Sequence, residues 1–94
     1  MKIMKEITAF HLTRCPYCIQ AKKAIAELIR EDPSLAAIQI HWIEEQEDPV
    51  TADSYDYYYV PSFFFGKEKQ YETHPGETYE ECEKNVERVL RAAL

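Results

Sequence analysis

The sequence predicts an α/β domain whose four-stranded mixed sheet carries helices on both faces, in the order β-α-β-(α)-β-β-α. Three observations carry that prediction. A β-branched and aromatic segment near the start runs into a proline-led stretch with apolar residues at helical spacing. An aromatic-rich run in the second half is followed, across Gly66-Lys67, by another strand-length segment. A Thr-x-x-Glu sequence then opens a last amphipathic stretch. At 94 residues the chain makes one domain, residues 1–94, and 46% hydrophobic with 30% charged residues describes a globular chain.

Ile3 to Leu12 mixes β-branched and aromatic residues over a strand length and is the first strand. The first helix begins at Pro16, because proline suits the first helical position, where its missing N–H would be unpaired anyway. Cys18, Ala21, Ile25, Leu28 and Ile29 share one face of it, and Asp32-Pro33 ends it, since the residue before a proline is pushed out of the α region. Ile38 to Ile43 alternates as the second strand, parallel to the first across a right-handed crossover. Pro49 to Tyr55 predicts a short helix with Asp48 as its cap. Tyr57 to Phe65, dense in Tyr, Phe and Val, is the third strand, although Pro61 inside it is a difficulty for a central strand. Glu68 to Thr73 is the fourth, and His74-Pro75-Gly76 breaks the chain. Thr78 to Glu81 is a capping box, behind which Tyr79, Cys82, Val86, Val89, Leu90 and Ala93 line one face of the last helix.

The formal net charge of −6 argues against a nucleic-acid partner, which needs clustered Lys and Arg to displace counterions. The longest apolar stretches fall far short of the roughly 20 residues that span a bilayer. Lys5 and Glu6 stand where a signal peptide needs its apolar core. No membrane partner is therefore expected, and cytoplasm is the expected compartment.

Three cysteines is an odd number, which fits poorly with a disulfide scaffold. Cys15 and Cys18 form a Cys-x-x-Cys pair with no second pair or His-x-x-x-His behind it, so no metal ligand set is expected and redox chemistry is favoured. At a helix N-terminus Cys15 meets unpaired amides and the positive end of the dipole, which favour thiolate over thiol, and Arg14 adds a positive charge. Cys18 lies one turn further in, on the apolar face. This asymmetry is what dithiol exchange requires: Cys15 attacks a substrate disulfide, and Cys18 resolves the mixed disulfide.

Phe10 to Ala21, FHLTRCPYCIQA, resembles the active-site stretch of the glutaredoxins, whose redox sequence is also Cys-Pro-Tyr-Cys, and Tyr59-Val60-Pro61 is similar to the segment holding the cis-proline of the thioredoxin superfamily. The element order agrees over almost the full chain. The resemblance implies a thioredoxin/glutaredoxin-like fold, a disulfide oxidoreductase with Cys15 as nucleophile and Cys18 as resolving thiol, and a cis Val60–Pro61 bond beside Cys15. It also implies that the Val60 backbone pairs with an extended substrate. Arg14, Pro16, Tyr17, Tyr59, Val60 and Pro61 are then the expected substrate-binding residues, around a site that needs no bound cofactor.

The sequence departs from the glutaredoxin pattern at the glutathione anchors. Leu12 stands three residues before the first Cys, where a base holds a glutathione carboxylate in that family. Pro75-Gly76-Glu77-Thr78 stands in place of Gly-Gly-x-x-Asp, with Glu77, Glu80 and Glu81 adding negative charge. Ala9 occupies the place of the buried acid of thioredoxins, six residues before Cys15. A disulfide-bearing protein or peptide is therefore the expected substrate of a monomeric protein, with glutathione or a reductase as candidate electron donor. A glutathione-dependent glutaredoxin proper, a metal or iron–sulfur carrier of thioredoxin fold and a non-catalytic interaction module stay open as alternatives. His11 is open as a proton shuttle or a strand-end residue, Cys82 as a regulatory thiol or a packing residue, and Tyr55, Tyr57, Tyr58 and Tyr59 as a stacking platform or half-buried strand residues.

Overall fold

The computed structural model describes residues 4–94. It is an α/β domain with a four-stranded mixed sheet in the order β2-β1-β3-β4. The strands are β1 Ile7–His11, β2 Ile40–Glu44, β3 Ser62–Phe65 and β4 Glu68–Glu72; the helices are α1 Pro16–Glu31, α2 Pro49–Asp53 and α3 Tyr79–Ala93. β1 and β2 pair in parallel, as the α1 crossover requires, and the β1–β3 and β3–β4 ladders are antiparallel.

Side chains alternate across the sheet and build two cores. Ile7, Ala9, Phe63 and Tyr71 pack on one face against Ala21, Ile25 and Leu28 of α1 and Val86, Val89 and Leu90 of α3. Phe10 and Phe64 face the other way, towards Ala52 of α2 with Ile43, Tyr55, Tyr57 and Val60. Helices therefore cover both faces. The α3 capping box is complete: Thr78 accepts from the Glu81 amide while the Glu81 carboxylate reaches back to Thr78.

Several boundaries differ from the sequence expectation; β1, β2 and β4 each end one residue away from it, at His11, Glu44 and Glu72. Ile3 lies outside the described residues, and β1 begins only at Ile7, while the Lys5 amide donates to the Ala93 carbonyl at 2.8 Å. A 3₁₀ helix over Pro33–Ala37 was not anticipated. The Asp32 carboxylate accepts from the Ser34 amide and hydroxyl, which starts that turn; Ile38 closes it, so β2 begins two residues later, at Ile40. The α2 helix ends at Asp53 rather than Tyr55. The largest difference is β3, expected from Tyr57 but beginning at Ser62. Glu72 Oε2 takes the amides of both Tyr58 and Tyr59 at 2.6 Å, so these residues form a pinned loop instead of a ladder. Among the described residues no helix is long and apolar enough to cross a membrane.

Candidate active site

The strand β1 ends at His11, and a turn through Thr13 and Arg14 closes where the Cys15 amide donates to the Leu12 carbonyl at 3.3 Å. Arg14 has φ +70°, a left-handed conformation that costs a non-glycine residue roughly 1–2 kcal/mol. That turn delivers Cys15 as the N-cap of α1, with Pro16 exposed at the first helical position. The half-exposed Cys15 sulfur accepts from the Cys18 amide at 3.3 Å, the place a capping oxygen takes in most helices. Cys18 is 1% exposed. Its burial, with the neighbouring Cys15 thiol adding to it, pushes the Cys18 thiol up to about 12.

This asymmetry has a direct chemical readout. Iodoacetamide at pH 8 is expected to label reduced native protein once, at Cys15, because Cys18 and Cys82 are both buried and burial raises both thiols. Mass spectrometry of the labelled peptides checks this, and a second native label on Cys18 would contradict it.

Val60–Pro61 is a cis peptide bond, and the Cys15 thiol donates to the Val60 carbonyl at 3.7 Å. Residues 45 positions apart thus meet at one end of the two central strands, β1 and β3. Pro61 is buried, its carbonyl accepting from the Thr73 amide at 3.1 Å. The Ser62 hydroxyl donates to the Tyr59 carbonyl at 2.5 Å. Between these fixed points the Val60 amide has no partner among the described residues, which leaves one free donor and a shared acceptor next to Cys15.

The other expected site residues are spread around this centre. Tyr17 is half-buried, and its hydroxyl accepts from the Gly76 amide at 2.7 Å, tying the dithiol turn to the approach of α3. Tyr59 is 51% exposed and Tyr58 86% exposed, so they present rings to solvent, while Tyr55 and Tyr57 pack on Phe10 and Phe64. Arg14 is exposed and makes no hydrogen bond or ion pair among the described residues.

One expectation needs correction. Glu77 does not add charge to the surface at the head of α3: it is 5% exposed, accepting from the Thr73 hydroxyl at 2.9 Å and from the Tyr71 hydroxyl. Glu81 is engaged by His74 at 3.1 Å and by the capping box, leaving Glu80 exposed. Cys82 is fully buried in the α1–α3 core. His11 sits edge-on to Trp42 with Nδ1 3.3 Å from Lys22 Nζ; burial and that ammonium lower its basicity. Sequence reasoning missed Glu72, whose role depends on amides 13 and 14 residues away and has no local signature.

Among the described residues no three His, Cys, Asp or Glu side chains converge as a metal site. No protein-family model matches the chain, and no curated protein is significantly similar to it.

Proposed function

We propose that the protein is a thiol–disulfide oxidoreductase with a thioredoxin-like fold, acting in a reducing compartment such as the cytoplasm on disulfide-bearing polypeptides. The observation that carries this reading is the half-exposed N-cap Cys15, its sulfur held between the Cys18 amide and the Val60 carbonyl, with Cys18 buried one turn behind it. The Cys15 thiolate attacks one sulfur of the substrate disulfide; the S–S bond breaks and the leaving thiolate takes up a proton. The Cys18 thiol then gives up its proton and attacks the Cys15 sulfur, releasing the second substrate thiol. The substrate gains two electrons, and a Cys15–Cys18 disulfide carries the loss until glutathione or a reductase restores the dithiol. An extended substrate pairs with the open Val60 amide, a main-chain pairing of the strand-addition type.

Insulin reduction by dithiothreitol tests the reading. The protein is expected to shorten the lag to precipitation at micromolar concentration, and an unchanged lag would reject it. Glutathione is expected to be a weak partner, because Leu12 replaces the base expected before Cys15 and the Gly76 amide is already taken by Tyr17. A missing charged contact is worth about 1.5–3 kcal/mol. Leu12→Lys is therefore expected to raise kcat/KM for a small glutathione mixed disulfide by about tenfold or more. Efficient turnover of that substrate by the unmodified protein would contradict the preference.

A further inference from the structure

The α2 face holds an open cavity of about 510 Å³ that no step above uses. Its walls include Tyr55, Tyr57 and Tyr58, with Glu45 and Asp53 beside them and no Lys or Arg in the lining. Glu45 Oε1 accepts from the Tyr57 hydroxyl at 2.7 Å, and the Asp53 carboxylate has no hydrogen-bond partner among the described residues. Burial and Glu45 raise the Tyr57 phenol well above its ordinary value, so it stays a neutral donor. The flanking sequence is acidic, with Glu44, Glu47, Asp48 and Asp56 beside the lining residues in a chain of net charge −6, and among the described residues Lys67 is the one cation held against the wall.

Aromatic faces attract cations through their quadrupole, and one of these rings already does so. Lys67 Nζ stands 3.9 Å from the Tyr55 ring centroid while donating to the carbonyl and hydroxyl of Ser54, each at 2.9 Å. Tyr55 holds Lys67 and Tyr57 stacks on Phe10, so the exposed Tyr58 ring with the two carboxylates favours a planar cation that stacks on that ring and forks onto an acid, which is a guanidinium rather than an ammonium.

The cavity wall also lies close in the chain to the proposed exchange site. Tyr58 is two residues before Val60, and Glu72 holds the amides of Tyr58 and Tyr59, so wall and exchange site belong to one pinned segment. Two residues span at most about 7 Å, so the Tyr58 wall lies within reach of an extended peptide that is paired at Val60 and continues for roughly two to four residues.

We propose that this cavity binds an arginine side chain located a few residues from the reactive cysteine of a disulfide-bearing polypeptide, making basic segments the substrate class. The inference rests on the dithiol reading for its substrate, but its test does not require turnover. A blocked, cysteine-free peptide carrying one arginine in an alanine-serine background is titrated into reduced protein and followed by amide chemical shifts. The same peptide with citrulline, the neutral isostere, is the comparison. Expected are shifts confined to Glu45, Asp53, Tyr55, Tyr57 and Tyr58, at least tenfold weaker binding of the citrulline peptide, and a similar loss in E45Q/D53N. Tyr58→Ala, at an exposed position, provides the same check without disturbing packed groups. Equal binding of both peptides, or shifts elsewhere, overturns the inference even where insulin reduction succeeds. Localised, charge-dependent binding without any insulin reduction would instead count against the dithiol reading and leave the cation site standing.

Discussion

Cys15→Ser is expected to abolish insulin reduction, with a residual rate no higher than dithiothreitol alone. The other two thiols cannot replace it. Cys18 is 1% exposed with its thiol pushed up to about 12, and Cys82 is buried in the α1–α3 core. Exchange needs a thiolate that reaches the substrate sulfur along the S–S axis, and only Cys15 has both exposure and helix-end amides around it. Cys18→Ser has a different signature. Attack proceeds, resolution does not, and the protein accumulates as a mixed disulfide on Cys15. Non-reducing mass spectrometry should find the substrate adduct in Cys18→Ser and none in Cys15→Ser. Equal behaviour of the two variants would mean the attacking and resolving roles are wrongly divided.

Glu72→Leu is expected to cost about 2–4 kcal/mol of stability and to lower kcat/KM by about tenfold or more, although Glu72 touches neither cysteine. Its carboxylate accepts the Tyr58 and Tyr59 amides at 2.6 Å and the Lys69 ammonium at 2.7 Å. Hydrogen bonds to a charged group contribute about 1.5–3 kcal/mol each, and here water recovers part of what two freed amides lose. The functional effect follows because those amides fix the segment that carries Val60 to Cys15. Glu72→Gln keeps one carbonyl acceptor and should recover roughly half the loss. Acidity adds an independent check. Burial pushes the Glu72 carboxyl up, but Lys69 and the two amides together outweigh it and hold it below the ordinary glutamate value. The native state then binds fewer protons than the unfolded chain. The carboxylate's contribution is present in full above the ordinary value near 4.3 and is lost as pH falls through the lowered native value. The stability gap between wild type and Glu72→Gln in urea should therefore narrow from pH 7 to pH 3. An unchanged gap would show that the charge does not hold the loop.

The features legible in the sequence are those whose causes are local. Pro16 at the first helical position, the Asp48 cap of α2 and the reciprocal Thr78–Glu81 box are each decided within four residues, and each stands in the structure. The α1 stripe was equally readable, since burial follows helical spacing. Tyr57 to Pro61 misled because its composition favours a strand, while the Tyr58 and Tyr59 amides within it are taken by a carboxylate from β4 that no window around it contains. The 3₁₀ turn at Pro33–Ala37 was half legible: Asp32-Pro33 marks the helix end, but the Asp32–Ser34 bonds that open a new turn were not anticipated. Glu77 misled for the opposite reason to Tyr57. A glutamate beside Glu80 and Glu81 reads as surface charge, and only the nearness of Tyr71 and Thr73 draws it inside.

The most direct test of the dithiol account is the equilibrium of Cys15 and Cys18 with a glutathione redox buffer, quenched in acid and read by mass. The account predicts one reversible two-electron transition to an intramolecular Cys15–Cys18 disulfide, with a midpoint in the range of roughly −270 to −120 mV spanned by proteins of this chemistry. Cysteines that remain reduced throughout, or that yield only a glutathione adduct on Cys15 with no internal disulfide, would contradict it.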